Sequence, residues 1–251
     1  LDYQAILQEE LTAQLVLTNA ISAMGLILNP QTGDILAMAT VPDFDSNYPG
    51  RGEISWQRNK VITDQFEPGS TFKIVPLTAA VDQNTVSLWQ EFNCENGSYT
   101  YAGHKIRDWD DFGLLTMPQI MENSSNVGVI KIAETLSQNN LYHYSRDLGF
   151  GMHTQISLAG EHPGTLHQVS KWSKISLAEV SLGHEVAVTA LQLGMAYAAI
   201  ANGGFLMKPR LLKQIITSSG KKVYAEKPEV IRKVATKEVM DIMTDMLCRV
   251  V

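Results

Sequence analysis

Cysteine, clustered basic residues and long apolar runs are all scarce in this sequence, and each shortage excludes a class of protein. Its 251 residues include two cysteines, Cys94 and Cys248, which lie far apart and outside any CxxC or CxxH pattern, so neither a disulfide framework nor a cysteine-based metal site is predicted. No apolar stretch approaches the roughly 18 to 20 residues that span a bilayer. Because no run of Lys and Arg exceeds two residues, and 26 acidic residues outnumber 20 basic ones, nucleic acid is not an expected partner.

Histidine offers no metal site either. The 6 histidines are scattered, and the two that lie close, His162 and His167, fall in a Pro-Gly loop rather than on one helical face. We therefore expect no metal site. With 45% hydrophobic and 18% charged residues, the composition is that of a globular protein. Because the chain starts at Leu1 and stops at Val251 directly after a periodic helix, we interpret it as a piece of a longer protein.

The apolar pattern predicts an α+β domain in which a hairpin is followed mainly by helices. Leucines at a spacing of four residues over 7–15 predict a first helix that ends near Asn19. Two short apolar runs, 24–28 and 35–40, are separated by a Pro- and Gly-containing turn and predict a β-hairpin. Residues 43–69 are polar and are predicted to be extended. The resulting sheet is small for its helical cover.

Helical periodicity dominates the rest of the chain. One helix is predicted to begin at Ser70 and to bend at Pro76. Capping boxes, C-terminal glycines or apolar residues at i, i+3 and i+4 predict further helices over 116–123, 127–136, 141–148, 189–202 and 239–247.

The first candidate for chemistry is Ser-Thr-Phe-Lys at residues 70–73. A hydroxyl and an amine three residues apart at a helix start lie on one face, which is the arrangement of a nucleophile and its base. The same spacing recurs at Ser218 and Ser219 with the lysines that follow them, in a polar stretch around Gly220. From these residues alone, Ser70 as an N-cap and Lys73 as a solvated surface residue is the better supported interpretation.

The second candidate is Ser124-Ser125-Asn126, which stands at a predicted break between two helices. Such a break exposes a hydroxyl and an amide while the helices fix their backbone. Ser-x-Asn occurs again at residues 137–139, where a helix cap is the simpler explanation. The acidic residues at 108, 110 and 111 are interpreted as a solvated loop cluster.

Taken together, these segments resemble class B high-molecular-weight penicillin-binding proteins, the peptidoglycan D,D-transpeptidases. Residues 66–76 are similar to the active-site segment of that family, 29–39 to its first hairpin, 106–109 to the approach to its second motif, 124–128 to that motif and 196–204 to its long buried helix. Because the likeness extends in order over essentially the whole chain, it is far more specific than either short motif, and it reverses the interpretation of Ser70 in favour of catalysis.

The resemblance implies four catalytic residues: Ser70, Lys73, Ser124 and Asn126. Ser70 would attack the carbonyl between the two terminal D-alanines of a peptidoglycan stem peptide, and an amine of a second stem would then take the acyl group. Lys73 would accept the Ser70 proton, Ser124 would relay it, and Asn126 would hold Lys73 and the substrate amide. Because a free lysine has a pKa of about 10.4, this role requires desolvation and a nearby second cation to lower the pKa of Lys73 to about 7. The mechanism that the resemblance implies needs no metal and no organic cofactor.

One departure concerns the third motif of the family, Lys-Thr-Gly or Lys-Ser-Gly, which occurs nowhere in the sequence. In the family the strand that carries it supplies an oxyanion-hole donor and a cation for the substrate carboxylate. Losing one such donor typically costs about 3 to 4 kcal/mol of transition-state stabilisation. We therefore expect that the chain stops before this strand, that the later sheet strands are missing and that the fragment alone is poorly active.

The resemblance also implies an organisation, partners and a location. The fold is expected to be the penicillin-binding protein and serine β-lactamase type, with helices around an antiparallel sheet. Residues 1–251 would form one incomplete transpeptidase domain, and approximately 84–165 a helical subdomain carrying Ser-x-Asn. Expected partners are peptidoglycan stem peptides, β-lactam antibiotics, a membrane-embedded glycan polymerase and other cell-wall synthesis proteins. The expected location is the outer face of the cytoplasmic membrane, reached through an anchor upstream of Leu1.

Two other functions stay open. A β-lactamase or β-lactam sensor would form the same acyl-enzyme but change its fate. Class A lactamases use Ser-Asp-Asn, and class D enzymes usually have a hydrophobic residue where Asn126 stands, so Ser124-Ser125-Asn126 favours the transpeptidase. A non-catalytic scaffold that binds cell-wall synthesis partners would account for the absent third motif.

Overall fold

The protein consists of helices packed around short antiparallel strand pairs, described here for residues 2–250 by a computed structural model. Within this range it has nine α-helices, and three of them have fewer than seven residues. In chain order they are α1 Asp2–Thr18, α2 Lys60–Thr63, α3 Ile74–Asp82, α4 Met117–Glu122, α5 Asn126–Ala133, α6 Gln138–Asp147, α7 Ser176–Ser181, α8 Ala190–Ala201 and α9 Lys237–Leu247.

The strands form separate two-stranded antiparallel pairs rather than one continuous sheet. The pairs are β1 Ala23–Asn29 with β2 Asp34–Val41, β3 Glu91–Asn93 with β6 Leu114–Thr116, β4 Ser98–Tyr101 with β5 His104–Arg107, β7 Thr165–Leu166 with β8 Val186–Ala187, β9 Phe205–Met207 with β12 Val230–Lys233, and β10 Gln214–Ile216 with β11 Lys222–Ala225. The predicted α+β class and the small extent of sheet are therefore confirmed.

The β1–β2 hairpin lies between helices α1 and α8. Successive side chains of a strand point to opposite faces, so each face of the hairpin packs against one helix. A Cβ atom on Gly25 would lie 3.0 Å from a methyl of Leu7 in α1, so this strand lacks a side chain where the helix crosses it. The next residue, Leu26, points to the opposite face, where a Cβ atom on Gly194 of α8 would lie 3.0 Å from one of its methyls. The predicted hairpin and the predicted end of α1 are both confirmed.

Two segments differ from the sequence prediction. Residues 43–69 are not uniformly extended, because they contain a 3-10 turn at Ile54–Gln57 and the single turn of α2. Val61 and Ile62 of α2 are buried and hold this helix in place, but two apolar residues are too few to give a periodic signal in the sequence. The bend expected at Pro76 is instead a change of helix type, from a 3-10 turn over Gly69–Lys73 to the α-helix that begins at Ile74. Pro76 thus lies in the first turn of α3, where a missing N–H costs little.

Helix α3 forms the centre of the core. Every residue from Ile74 to Val81 is buried, and helices α5, α6 and α9 pack against it. A helix that is apolar all round has no face to turn towards solvent. Its position is therefore fixed by its neighbours, and so is the position of the 3-10 turn that leads into it. Among the helices of residues 2–250, none combines the length and the apolar character that crossing a bilayer requires.

A charged contact ties the hairpin turn to the segment after β9. The guanidinium of Arg210, 7% exposed, donates to the Asp34 carboxylate at 2.5 Å and also to the Glu226 carbonyl. The Ile35 N–H donates to the Arg210 carbonyl at 3.0 Å. The hydrogen bond between the Arg210 guanidinium and the Asp34 carboxylate holds the pKa of Asp34 below its usual value.

We expect Asp34→Asn to lower the free energy of unfolding at pH 7 by about 2 kcal/mol, between the values typical of exposed and of buried pairs. Because the folded-state pKa of Asp34 is lowered, its stabilisation is complete above the unfolded pKa of about 3.9 and is lost as the pH falls through the folded pKa. The free energies of unfolding of wild type and variant, measured by urea denaturation, should therefore approach each other below about pH 4. Asp241→Asn, at an exposed i,i+4 pair with Lys237, is the control and should change the free energy by less than about 0.5 kcal/mol. An equal effect of the two substitutions would contradict the structural importance of the Arg210 contact.

Candidate active site

The loop that precedes Ser70 is positioned by a close backbone contact. The Gly69 N–H donates to the Gly183 carbonyl at 3.2 Å, and a Cβ atom on Gly183 would lie 2.2 Å from the Gly69 carbonyl oxygen. Three residues earlier, Phe66 forms an antiparallel bridge with Val188. Residues 183–188 therefore determine where the first candidate residue lies.

Ser70 and Lys73 lie on one face of the 3-10 turn at Gly69–Lys73. In a 3-10 helix residues i and i+3 eclipse one another, which is closer alignment than an α-helix would give. Ser70 is exposed, whereas Lys73 is 1% exposed, so the two side chains span the boundary between solvent and core. The hydroxyl of Tyr197 in α8 donates to the Thr71 carbonyl at 3.1 Å and supports the turn from behind. A solvated Lys73, the ordinary interpretation of the short motif, is therefore wrong.

The ammonium of Lys73 meets three oxygen atoms of the second motif. Nζ donates to Ser124 Oγ at 3.0 Å, to Asn126 Oδ1 at 2.8 Å and to the Ser124 carbonyl. An ammonium has three N–H donors, so these contacts satisfy all of them. The structure thus brings Lys73, Ser124 and Asn126 into direct contact, with Ser70 on the same face of the turn as Lys73.

Burial lowers the pKa of Lys73 to about 8, while the charge of Asp108 acts in the opposite direction. Desolvation disfavours the charged form because the surrounding core cannot replace water around an ammonium. At pH 7 a pKa of about 8 leaves roughly one tenth of the amine neutral, against well under one in a thousand for a free lysine. A neutral amine has a lone pair and can accept a proton, which the ammonium cannot.

The turn between α4 and α5 explains how Ser124 presents both of its oxygens to Lys73. Its backbone is left-handed, with φ of 52°, and its N–H donates to the Met121 carbonyl at 3.1 Å, which closes the end of α4. The next residue, Ser125, is fully buried and caps α5 by accepting from the Gly128 N–H at 2.9 Å. The predicted break between two helices is therefore a tight reversal that faces Lys73.

Asp108 is the residue of this site that the local sequence pattern misinterprets. Its Oδ2 accepts from the Ser125 hydroxyl at 2.7 Å, and its Oδ1 accepts from the backbone N–H of Val127 at 3.1 Å and of Asn126. The prediction that Asp108 belongs to a solvated acidic cluster is wrong, because the N-terminus of α5 binds its carboxylate. The one signal in the sequence was the resemblance of residues 106–109 to the approach to the second motif.

The remaining candidates have structural roles or lie apart. Ser137 caps α6 by accepting from the Asn140 N–H at 3.0 Å, as predicted. Ser218 and Ser219 lie in the exposed turn between β10 and β11. Within residues 2–250 there is no group of three or more His, Cys, Asp or Glu residues placed to bind a metal ion.

Beside the Ser70 loop a cavity of about 470 Å³ opens, lined in part by Glu67, whose carboxylate contacts His184 at 3.1 Å.

We expect Ser124→Gly to be more stable than Ser124→Ala by about 1 kcal/mol, because both remove the hydroxyl but only glycine adopts a positive φ without strain. Urea unfolding of the two variants measures the difference. At Thr12, inside the regular helix α1, the order should reverse, with Gly less stable than Ala by about 1 kcal/mol. An alanine variant at position 124 as stable as the glycine variant would show that the left-handed backbone does not strain this turn.

Comparison with known proteins places this geometry in a family. The family described as penicillin binding protein transpeptidase domain matches residues 23–251. Stage V sporulation protein D of Bacillus subtilis (strain 168) is 32% identical over 238 residues, which cover 94% of this chain and 37% of that protein. Peptidoglycan D,D-transpeptidase FtsI of Escherichia coli (strain K12) is 32% identical over 223 residues, which cover 89% of this chain and 38% of that protein. The chain therefore spans less than two fifths of the length of these relatives.

Solved structures agree with this assignment. Penicillin-binding protein 3 of Mycobacterium tuberculosis in complex with ampicillin matches with a TM-score of 0.89 and 27% identity, over 99% of this chain and 55% of that one. The apo transpeptidase domain of penicillin-binding protein 3 from Burkholderia pseudomallei matches with a TM-score of 0.84 and 27% identity, over 98% of this chain and 67% of that one. The resemblance inferred from the sequence is confirmed, and the chain belongs to the transpeptidase domain family of class B penicillin-binding proteins.

Proposed function

We propose that this domain cross-links peptidoglycan as a serine D,D-transpeptidase and that Ser70 is the residue acylated by stem peptides and by β-lactams. The observation that carries the proposal is the buried Lys73, which shares a helical face with an exposed serine and has a pKa of about 8. A serine hydroxyl is a weak nucleophile until an adjacent base takes its proton, and a lysine one helical turn away is placed to do so. The names of relatives support it, since several are called peptidoglycan D,D-transpeptidases and solved neighbours were complexed with ampicillin and aztreonam.

Proton movement in the first acyl transfer follows from the contacts of Lys73. In the neutral form its lone pair accepts the Ser70 proton as Ser70 Oγ bonds to the carbonyl carbon between the two D-alanines. Two N–H groups stay on the Ser124 carbonyl and Asn126 Oδ1. As the carbon–nitrogen bond breaks, Lys73 passes its proton through Ser124 Oγ, 3.0 Å away, to the departing D-alanine amine. A second stem amine then reverses these steps and takes the acyl group.

Asn126 is suited to hold Lys73 because its own amide is fixed at both ends. Its Oδ1 accepts from Lys73 and its Nδ2 donates to the Arg107 carbonyl at 2.9 Å, which determines which way the amide faces. The amide carries a second N–H on Nδ2. We assign that donor to the substrate amide, in line with the role that the family resemblance implies.

The proposal extends to organisation and location. Residues 1–251 would be part of one transpeptidase domain, and approximately 84–165 the subdomain that carries Ser124 and Asn126. In the whole protein the domain would work on the outer face of the cytoplasmic membrane, held by an N-terminal anchor, beside a glycan polymerase and other cell-wall synthesis proteins. The location is what the family resemblance implies for a domain that acts on peptidoglycan, the substrate class in the name of FtsI of Escherichia coli.

The proposal is tested by acylating the full-length protein with a fluorescent penicillin. Wild type should form a stable adduct that Ser70→Ala abolishes, and Lys73→Ala should slow adduct formation by about 10²- to 10⁴-fold, the usual contribution of a general base. Since only neutral Lys73 accepts the proton, the acylation rate should rise with pH and level off above about 8. Equal rates for Lys73→Ala and wild type would remove Lys73 as the base. Labelling of Ser70→Ala would remove the nucleophile, and adduct turnover within seconds would favour a β-lactamase.

A second prediction concerns the backbone contact that positions Ser70. Gly183→Ala places a Cβ atom 2.2 Å from the Gly69 carbonyl oxygen, so one of the two segments must move and Ser70 moves with it. We expect acylation to slow by on the order of 10²-fold, the usual effect of a displacement of about 1 Å. Gly220→Ala is the matched control, because its φ of 82° equals that of Gly183 within 2° but no atom lies within 4 Å of the added Cβ. Equal acylation rates for two variants with native circular dichroism spectra would contradict the predicted displacement.

A further inference from the structure

Both carboxylate oxygens of Asp108 are used at the turn that holds Lys73. One accepts from the Ser125 hydroxyl, and the other from the first backbone N–H groups of α5, on Asn126 and Val127. These residues are Asn126, whose side chain binds Lys73, and its two neighbours in the chain. Asp108 is itself anchored, because its N–H donates to the Gly97 carbonyl at 2.9 Å.

The residues that flank Asp108 fix the same turn from two further directions. The Arg107 carbonyl accepts from Asn126 Nδ2 at 2.9 Å, and Trp109 Nε1 donates to the Asn123 carbonyl at 2.7 Å. Residues 107–109 thus contact the chain immediately before and after Ser124. Because Ser124 has a left-handed backbone, which is unfavourable for a residue with a side chain, such a turn persists only where its surroundings enforce it.

Asp108 also affects the electrostatics of the site. It is the charged group whose field opposes the effect of burial on the pKa of Lys73. Three other ionisable groups lie near the turn, beside the exposed residues Arg107 and Glu122. Cys94, which contacts the Ser125 hydroxyl, is buried, and burial raises the pKa of its thiol. Lys131 of α5 and Glu95 form an ion pair at 2.6 Å and offset one another.

We propose that Asp108 is a positioning residue for acyl transfer, whose carboxylate fixes the Ser124–Asn126 turn around Lys73 and sets the charge balance of that amine. The inference rests on the proposed acylation of Ser70. Asp108 touches neither substrate nor reacting atoms and acts through Lys73, Ser124 and Asn126. Without its charge the neutral amine would form at lower pH, and without its hydrogen bonds the oxygens that bind Lys73 would lose their fixed positions.

Two variants of the full-length protein separate these effects in the penicillin acylation assay. Asp108→Asn is isosteric, its Oδ1 still accepts from the two backbone N–H groups and its Nδ2 donates to Ser125 Oγ, but the charge is gone. The pH at which acylation reaches half its maximum should therefore be lower than in wild type. The maximal acylation rate should stay within several-fold of the wild-type rate. Asp108→Ala also removes the hydrogen bonds, and its maximal rate should fall by on the order of 10²-fold.

Asp110→Asn is the control, because Asp110 is an exposed acidic residue two positions away. The pH profile of acylation of this variant should match that of wild type. If Asp108 had a purely structural role, its variants would have a lower maximal acylation rate, but the pH of half-maximal acylation (the midpoint) would not change. The inference is overturned by an unmoved midpoint in Asp108→Asn, by an equal shift in Asp110→Asn, or by a wild-type maximal rate in Asp108→Ala. Failure of the wild-type protein to be acylated would instead overturn the proposed function.

Discussion

The arrangement of the site depends on one constraint, which is that a buried amine must have all of its hydrogen bonds satisfied. Lys73 is almost completely removed from water, and an unsatisfied charge there would cost several kcal/mol. Ser124 and Asn126, 51 and 53 residues further along the chain, provide the acceptors. The contact that makes Lys73 tolerable in the core is thus also the contact that assembles the two motifs. Residual desolvation keeps the amine easier to deprotonate than a free lysine.

Features that depend on neighbouring residues could be predicted from the sequence. The β1–β2 hairpin, the capped helices α4 and α8 and the one-sided helix α9 carry their signals within a few residues, and all are found where expected. Helix α2 was missed because a single turn offers too few positions for periodicity. The Ser-x-x-Lys pattern did not separate residues 70–73 from the serines beside Gly220, and only the wider resemblance did so.

Features that depend on distant contacts could not be read from local pattern. Asp108 lies 18 residues before the helix that it caps, in a stretch whose acidic composition is typical of a solvated loop. Gly183 shows no motif, and its importance comes entirely from the backbone of Gly69 that passes against it. The burial of Lys73 was likewise invisible in its own segment, where a lysine near a helix start is ordinarily exposed. In each case tertiary packing, not local propensity, decided the outcome.

The contact between the two glycines has a consequence for how this domain tolerates change in chain length. Gly69 pairs with Gly183 and Phe66 pairs with Val188, so the number of residues between positions 183 and 188 determines the register of the segment before Ser70. Adding or deleting one residue there would slide the two paired backbones out of register while leaving every side chain of both motifs intact. Variation in loop length at this place, far in sequence from both motifs, is therefore a route by which the position of Ser70 changes.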